Sequence, residues 1–173
     1  TVSVSGVDAA PANALHPEDQ ARAGFYALLA ALYAGGPDRA LLQAIAQAPA
    51  RGVPAVIDRG ASKAMELTSA WETLRAASAA MVAEAAGQEY VELFVGVGKC
   101  EVNLHGSHWL TGFMMDKPLA ELRATLAGLG LARKPGVTMV EDHVSALCET
   151  MRLLIAGGAG RAPADPAAQR RFF

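Results

Sequence analysis

Alanine and leucine, recurring at three- and four-residue spacing, decide what this chain can fold into. Phe25, Leu28, Leu29 and Leu32 share one helical face. Leu41, Leu42 and Ile45 share another, and Leu119, Leu122, Leu126 and Leu129 a third. The sequence holds 37 Ala and 19 Leu against 23 Val, Ile and Thr together. The first two are strong helix formers and the others favour strands, which excludes a β-sandwich or a parallel α/β sheet. With 52% apolar and 18% charged residues, most of the chain is expected to be ordered. Its 173 residues suit one domain with a core of its own, without a disulfide or metal staple. The expectation is an all-α, single-domain helical bundle.

Glycine, proline and capping residues divide the chain. Residues 1–15 lack an amphipathic period and read as a flexible N-terminal arm. Pro17, followed by Glu18 and Asp19, opens a helix over 17–34 that Gly35-Gly36-Pro37 closes. Asp38 is an N-cap for a helix over 38–48. The longest helix is predicted over 62–86, burying Leu67, Trp71, Leu74, Ser78, Met81 and Ala85, with a shorter one over 88–95. A loop from Gly96 to Trp109 follows. Asp116 and Pro118 begin a helix over 117–129, and Gly130 stops it. Thr138 and Glu141 form a T-x-x-E capping box, which predicts a helix over 139–156. Val144, Leu147, Cys148, Met151, Leu154 and Ile155 are its inward residues. Asp165-Pro166 starts a last helix close to where the sequence ends.

Several function classes fall away. A formal net charge of −2, with no basic stripe, argues against duplex DNA or RNA as a main partner. Cys100 and Cys148 are too few for a disulfide framework. No apolar run approaches the roughly 20 residues of a membrane span, and residues 1–6 lack the basic region and apolar core of a signal peptide. A cytoplasmic location is therefore expected. Neither a G-x-x-x-x-G-K-[ST] phosphate loop nor a dinucleotide fingerprint is present, and no cofactor is assigned.

The less ordinary residues gather around two loops, Gly96 to Trp109 and Leu131 to Val137. Cys100, His105 and His108 are metal-ligand types within nine residues. Their C-x4-H-x2-H spacing matches no standard zinc finger, and His143 or Asp142 would have to complete a site. A metal-dependent hydrolase using Cys100, His105, His108 and His143 is the alternative function; two unrelated histidines on a loop is the simpler reading. Ser107, Asp142 and His143 include the residue types of a catalytic triad. Adjacent positions on a helix point about 100° apart, however, which suits no carboxylate–imidazole pair, and no G-x-S-x-G elbow surrounds Ser107. Glu141 and Asp142 in a first helical turn would favour the helix dipole by up to about 1 kcal/mol. Composition alone places Trp109 in the core.

Three elements, in this order, resemble the TorD/DmsD/NarJ family of molybdoenzyme maturation chaperones. They are Tyr90-Val91-Glu92-Leu93-Phe94-Val95-Gly96, then Gly106-Ser107-His108-Trp109, then Glu141-Asp142-His143. The resemblance covers residues 90–154; the helices before it agree only in kind. The chain departs from the family pattern at Val140, where a proline usually precedes the acidic pair, and at Leu104-His105, where a proline and an aromatic are common. Gln169-Arg170-Arg171-Phe172-Phe173 matches an element after which the family continues into further helices, so C-terminal helices are expected to be missing here.

The resemblance implies a cytoplasmic chaperone, not an enzyme. Such a protein binds the twin-arginine signal peptide and the apo form of a molybdenum oxidoreductase, and holds that client until the molybdopterin cofactor is inserted. It implies a monomer or a domain-swapped homodimer. It also implies a binding surface that includes Gly106, Ser107, His108, Trp109, Glu141, Asp142 and His143, with Tyr90, Leu93 and Phe94 beside it. Two guanidinium groups followed by an apolar run call for carboxylates next to an apolar groove. Glu141 and Asp142 are the expected carboxylates, with Asp142 pairing to an arginine of the signal. Trp109, Leu93 and Phe94 are the expected groove. Glu84, Glu89 and Glu92, with no basic residue between Arg75 and Lys99, add to an acidic field.

Overall fold

The computed structural model describes residues 15–49, 61–96, 100–158 and 160–173. The N-terminal arm therefore lies outside the described residues, except for Leu15. Among the described residues are eight α-helices and no strand, an all-α fold. They are α1 (Pro17–Ala34), α2 (Arg39–Gln47), α3 (Ala61–Ala80), α4 (Ala83–Tyr90), α5 (Gly106–Thr111), α6 (Lys117–Gly128), α7 (Val144–Ala156) and α8 (Pro166–Phe172). One turn of π-helix, Val91–Val95, continues α4.

Local chemistry sets the ends. Asp38 accepts a hydrogen bond from the Leu41 N–H at 2.8 Å, and Asp165 one from the Ala168 N–H at 2.8 Å. Pro17 and Pro166 occupy first helical turns, where a missing N–H costs nothing. Gly130, at φ +67°, ends the turn beyond α6, and the Leu131 N–H returns to the Leu126 carbonyl.

The core forms where α1 crosses α7. Ala23, Met151, Leu154 and Ile155 are buried together, with Tyr26, Leu129, Leu131 and Phe172 packed around them. The buried positions of α1 are Ala23 and Ala30; Phe25 is exposed, contrary to the expected inward face, and Leu28, Leu29 and Leu32 are half-buried. Small side chains let the two backbones approach, so that Ser145 on α7 donates from Oγ to the Ala30 carbonyl at 2.7 Å. The inner face of α7 is as expected, with Cys148, Met151, Leu154 and Ile155 buried. α8 closes the end of this pair. Arg22 donates to the Gln169 side-chain oxygen at 3.0 Å, and Tyr26 meets Phe173 edge-on.

Three predicted helices are placed differently, and the one expected over 88–95 is the end of α4 followed by the π-turn. The helix expected over 62–86 breaks at Met81-Val82, where Val82 takes an extended conformation and starts α4. Ser78 and Ala86 are buried, whereas Met81 and Ala85 are exposed. The break returns α4 toward α1, close enough that a Cβ on Gly36 would lie 2.8 Å from the Gly87 Cα. The helix expected over 139–156 begins only at Val144. Its N-cap is His143, whose Nδ1 accepts from the Ser145 N–H at 3.2 Å. The Thr138–Glu141 capping box does not form: the helix starts beyond it, and the Glu141 carboxylate is bound by arginines.

Gly157 ends α7 at φ +71°, and a Cβ there would overlap the Arg161 carbonyl oxygen. Gly136 has a similar φ of +83° but faces open space. Gly136→Ala is expected to cost about 1 kcal/mol, the strain of the left-handed region. Gly157→Ala should cost distinctly more, since backbone must also move. Thermal melts of the two variants check this; equal losses would mean the crowding at Gly157 relaxes freely.

Candidate functional site

The loop before α5 and the turn before α7 are joined through their backbones. His105 and His143 form an isolated antiparallel bridge. The Gly106 N–H donates to the Asp142 carbonyl and the Val144 N–H to the Leu104 carbonyl, both at 2.9 Å. The bridge brings Gly106, Ser107 and His108 next to Glu141, Asp142 and His143, which lie in the turn before α7 rather than in its first helical turn. The His105 and His143 rings meet edge to face, with centroids 5.0 Å apart.

Asp142 is 4% exposed, and its Oδ2 accepts from both the N–H and the Oγ of Ser107, at 2.9 and 2.5 Å. Ser107 is 1% exposed, and its Oγ also accepts from the Met115 N–H at 3.2 Å. Met115 is the non-glycine residue at positive φ among the described residues, at +59°. A buried carboxylate thus fixes a serine, and the serine fixes a left-handed turn. The carboxylate expected to pair with an arginine of the signal is thus turned inward, and its Oδ1 is buried without a hydrogen-bond partner.

The turn held in this way presents apolar side chains to solvent. Trp109 is 69% exposed, Leu110 75%, Phe113 72% and Met115 68%. Trp109 is therefore not a core residue; its indole N–H donates to the Asn103 carbonyl at 2.7 Å, and His108 meets it edge to face. Contiguous exposed apolar side chains of this kind mark an interaction surface. Leu110, Phe113, Met114 and Met115 were not among the expected site residues. The signal available was the run Trp-Leu-Thr-Gly-Phe-Met-Met, apolar but without helical period.

Glu141 faces the other way. Arg123 donates to its Oε2 from Nε and a terminal nitrogen at 3.1 and 2.9 Å, and the Nε of Arg133 lies 3.3 Å from Oε1. The Arg123 hydrogen bonds are the main reason its pKa is held below the usual 4.5. A carboxylate shared by two arginines contributes little negative field to a partner.

Tyr90, Leu93 and Phe94 line a separate, largely apolar cleft of about 260 Å³ between α1, α2, α3, α4 and the π-turn. Phe94 packs on Tyr33 and Tyr90, with ring centroids at 5.9 and 5.1 Å, and Tyr90 donates its hydroxyl to the Tyr33 carbonyl. The π-turn frees the Leu93 carbonyl to accept from the Val102 N–H, which ties the following loop to the cleft. Glu89 is the charged residue lining it, and Glu84 and Glu92 lie on the same helical stretch.

Neither enzymatic arrangement is assembled. Among the described residues, no three His, Cys, Asp or Glu side chains are placed to hold a metal ion, so Cys100, His105, His108 and His143 form no ligand set. Both cysteines are free thiols, Cys148 buried. The hydroxyl of Ser107 meets Asp142, while His143 Nδ1 serves the α7 cap, so these two do not pair for proton transfer. No helix among the described residues is long and apolar enough to cross a membrane.

Asp142→Ala removes the acceptor of two buried donors and is expected to cost about 2 kcal/mol. For a domain of this size that lowers Tm by about 4–8 °C. Asp142→Asn keeps an acceptor for Ser107 and should lose less. A fully stable Asp142→Ala protein would show that the carboxylate does not hold this turn. Histidine 143 gives a pH signature. Burial, and secondarily the nearby His105, pushes its pKa below 6.5, so the folded chain keeps it neutral while the unfolded chain takes up a proton. Its contribution is complete above pH 6.5 and is lost as pH falls from there toward the lowered folded value. Glu141, also lowered, adds a second loss below about 4.5. His143→Asn keeps a cap acceptor without a titrating group, so Tm against pH should lose its upper limb and keep the lower; an unchanged profile would assign the upper limb elsewhere.

No curated protein and no solved structure matches this chain. A family model does, over residues 61–173, a span that holds both bridged loops, the π-turn and α3 to α8. The match and the all-helical fold agree with the motif order read from the sequence, and the chain belongs to the nitrate reductase delta subunit family, a family of molybdoenzyme maturation chaperones.

Proposed function

We propose that this protein is a cytoplasmic chaperone that binds the twin-arginine signal peptide and the apo form of a molybdenum oxidoreductase catalytic subunit, holding them until the molybdopterin cofactor is inserted. It acts by binding and carries out no chemistry of its own. The observation that carries this reading is the apolar cleft at Tyr90, Leu93 and Phe94 with Glu89 among its lining residues. A twin-arginine signal is an apolar run preceded by two guanidinium groups, and the cleft offers the complement in one place. Tyr90 contributes its ring, since its hydroxyl is already bonded. Glu84, Glu89 and Glu92 attract the arginines. Each exposed pair is worth at most about 1 kcal/mol, so the apolar contact supplies most of the affinity.

The remaining site residues take a different part. The exposed patch of Trp109, Leu110, Phe113 and Met115, with His108 beside it, meets apolar surface of the unfolded client. Methionine and aromatic side chains suit this, because they adapt to varied partners. Gly106, Ser107, Asp142 and His143 act through the patch by fixing its turn. Glu141 braces α6 against the turn before α7 through Arg123.

Calorimetric titration with a synthetic twin-arginine signal peptide tests the reading. The wild-type chain should bind it, and a twin-lysine version more weakly. Glu89→Gln is expected to lower affinity about threefold, with the difference shrinking at about 0.5 M salt. Leu93→Asn should lower it further. Unchanged affinity in both variants would remove this cleft from signal recognition.

A further inference from the structure

A second cleft, of about 470 Å³, lies between α6, the segment 131–141 and α7, and shares no lining residue with the first. Leu126, Leu131, Val137, Met139 and Leu153 give it apolar walls. Its charge is opposite to that of the first cleft. Arg133, Lys134 and Arg152 line it, and Arg123 joins it through Glu141. Against these four cations stand two carboxylates, and both are already engaged. Glu141 is shared by Arg123 and Arg133, and Glu149 takes both fork nitrogens of Arg152 at 2.7 Å. Lys134 has no ion-pair partner among the described residues. In a chain of net charge −2 this is a local excess of two positive charges.

We propose that this cleft docks an acidic peptide segment of a partner protein, with one or two leucine-like side chains on its apolar walls and flanking carboxylates near Lys134 and Arg133. A compact anion such as phosphate needs several donors converging on one point. Here the donors are committed elsewhere: Arg133 donates to the Val137 carbonyl at 2.7 Å as well as meeting Glu141, and Arg152 is held by Glu149. What remains is a diffuse positive field around an apolar hollow. That combination favours alternating carboxylates and apolar side chains over a phosphate group. The site is separate from the signal cleft and prefers the opposite charge, so the protein is able to hold two segments of different sign at once.

The test is fluorescence anisotropy with the full chain and a fluorescein-labelled peptide, Gly-Asp-Glu-Leu-Leu-Glu-Asp-Gly. A version with lysine at every acidic position serves as control. The acidic probe should bind and the lysine probe should not. Lys134→Glu, at an exposed position with no ion-pair partner, should weaken binding about fivefold. Val137→Ser, at a half-exposed wall position, should weaken it about threefold. Excess unlabelled twin-arginine peptide should leave the probe bound. The proposal is overturned if Lys134→Glu has no effect, if only the charge variant matters and Val137→Ser does not, or if pyrophosphate or the twin-arginine peptide displaces the probe. Failure of the twin-arginine peptide to bind at all would sink the proposed function and leave this inference standing, because the acidic probe reports on its own cleft.

Discussion

The Asp142 carboxylate, buried under α5 and held by Ser107, is the contact on which the exposed apolar end of the molecule depends. Burying a carboxylate without a cationic partner is costly unless hydrogen bonds replace its water. Two come from one serine, and the backbone bridge between 104–106 and 142–144 holds that serine in place. In return, Ser107 accepts from the Met115 N–H and holds a residue at positive φ, which costs a non-glycine residue about 1 kcal/mol or more. The strained turn persists because its surroundings determine it, and its product is an outward-facing set of aromatic and methionine side chains.

Periodicity and caps made much of the fold legible. The faces of α6 and α7, the start of α1 at Pro17 and the caps at Asp38 and Asp165 follow from spacing and side-chain chemistry that act within one turn. What was not legible depends on distant partners. Residues 76–86 are Ala-rich throughout and have no local breaker; the interruption at Met81-Val82 goes with the close approach of Gly87 to Gly36, a contact between distant segments. Phe25 was expected inside by its hydrophobicity. The close crossing of α1 and α7 instead admits Ala23 and Ala30 and leaves the larger ring outside.

The candidate site was legible in which segments come together and not in which partner each carboxylate takes. The order of the three motifs located the bridged loops and the π-turn. Pattern alone could not tell that Asp142 turns inward, because this depends on a serine 35 residues away. Nor could it tell that the Thr138–Glu141 box would lose its glutamate to Arg123, 18 residues away. Both placements have one cause. A carboxylate goes to the strongest donors it can reach, and in a compact fold those donors need not be its sequence neighbours.

Glu141 and Asp142, adjacent in sequence, therefore serve different surfaces. The first joins the basic cleft between α6 and α7; the second supports the apolar patch of α5. They diverge because residues 141–143 lie in a turn before the helix, from which Glu141 reaches Arg123 and Arg133 while Asp142 reaches Ser107. Placing the α7 cap at His143 makes this possible: the imidazole takes over the capping hydrogen bond that an acidic residue would otherwise supply, and both carboxylates are left to bind elsewhere. The turn is then restrained on three sides, by arginines at Glu141, by Ser107 at Asp142 and by the α7 cap at His143. A segment restrained in this way holds its two neighbouring surfaces in fixed relation, so that a flexible segment docking on either one would bear the ordering cost alone.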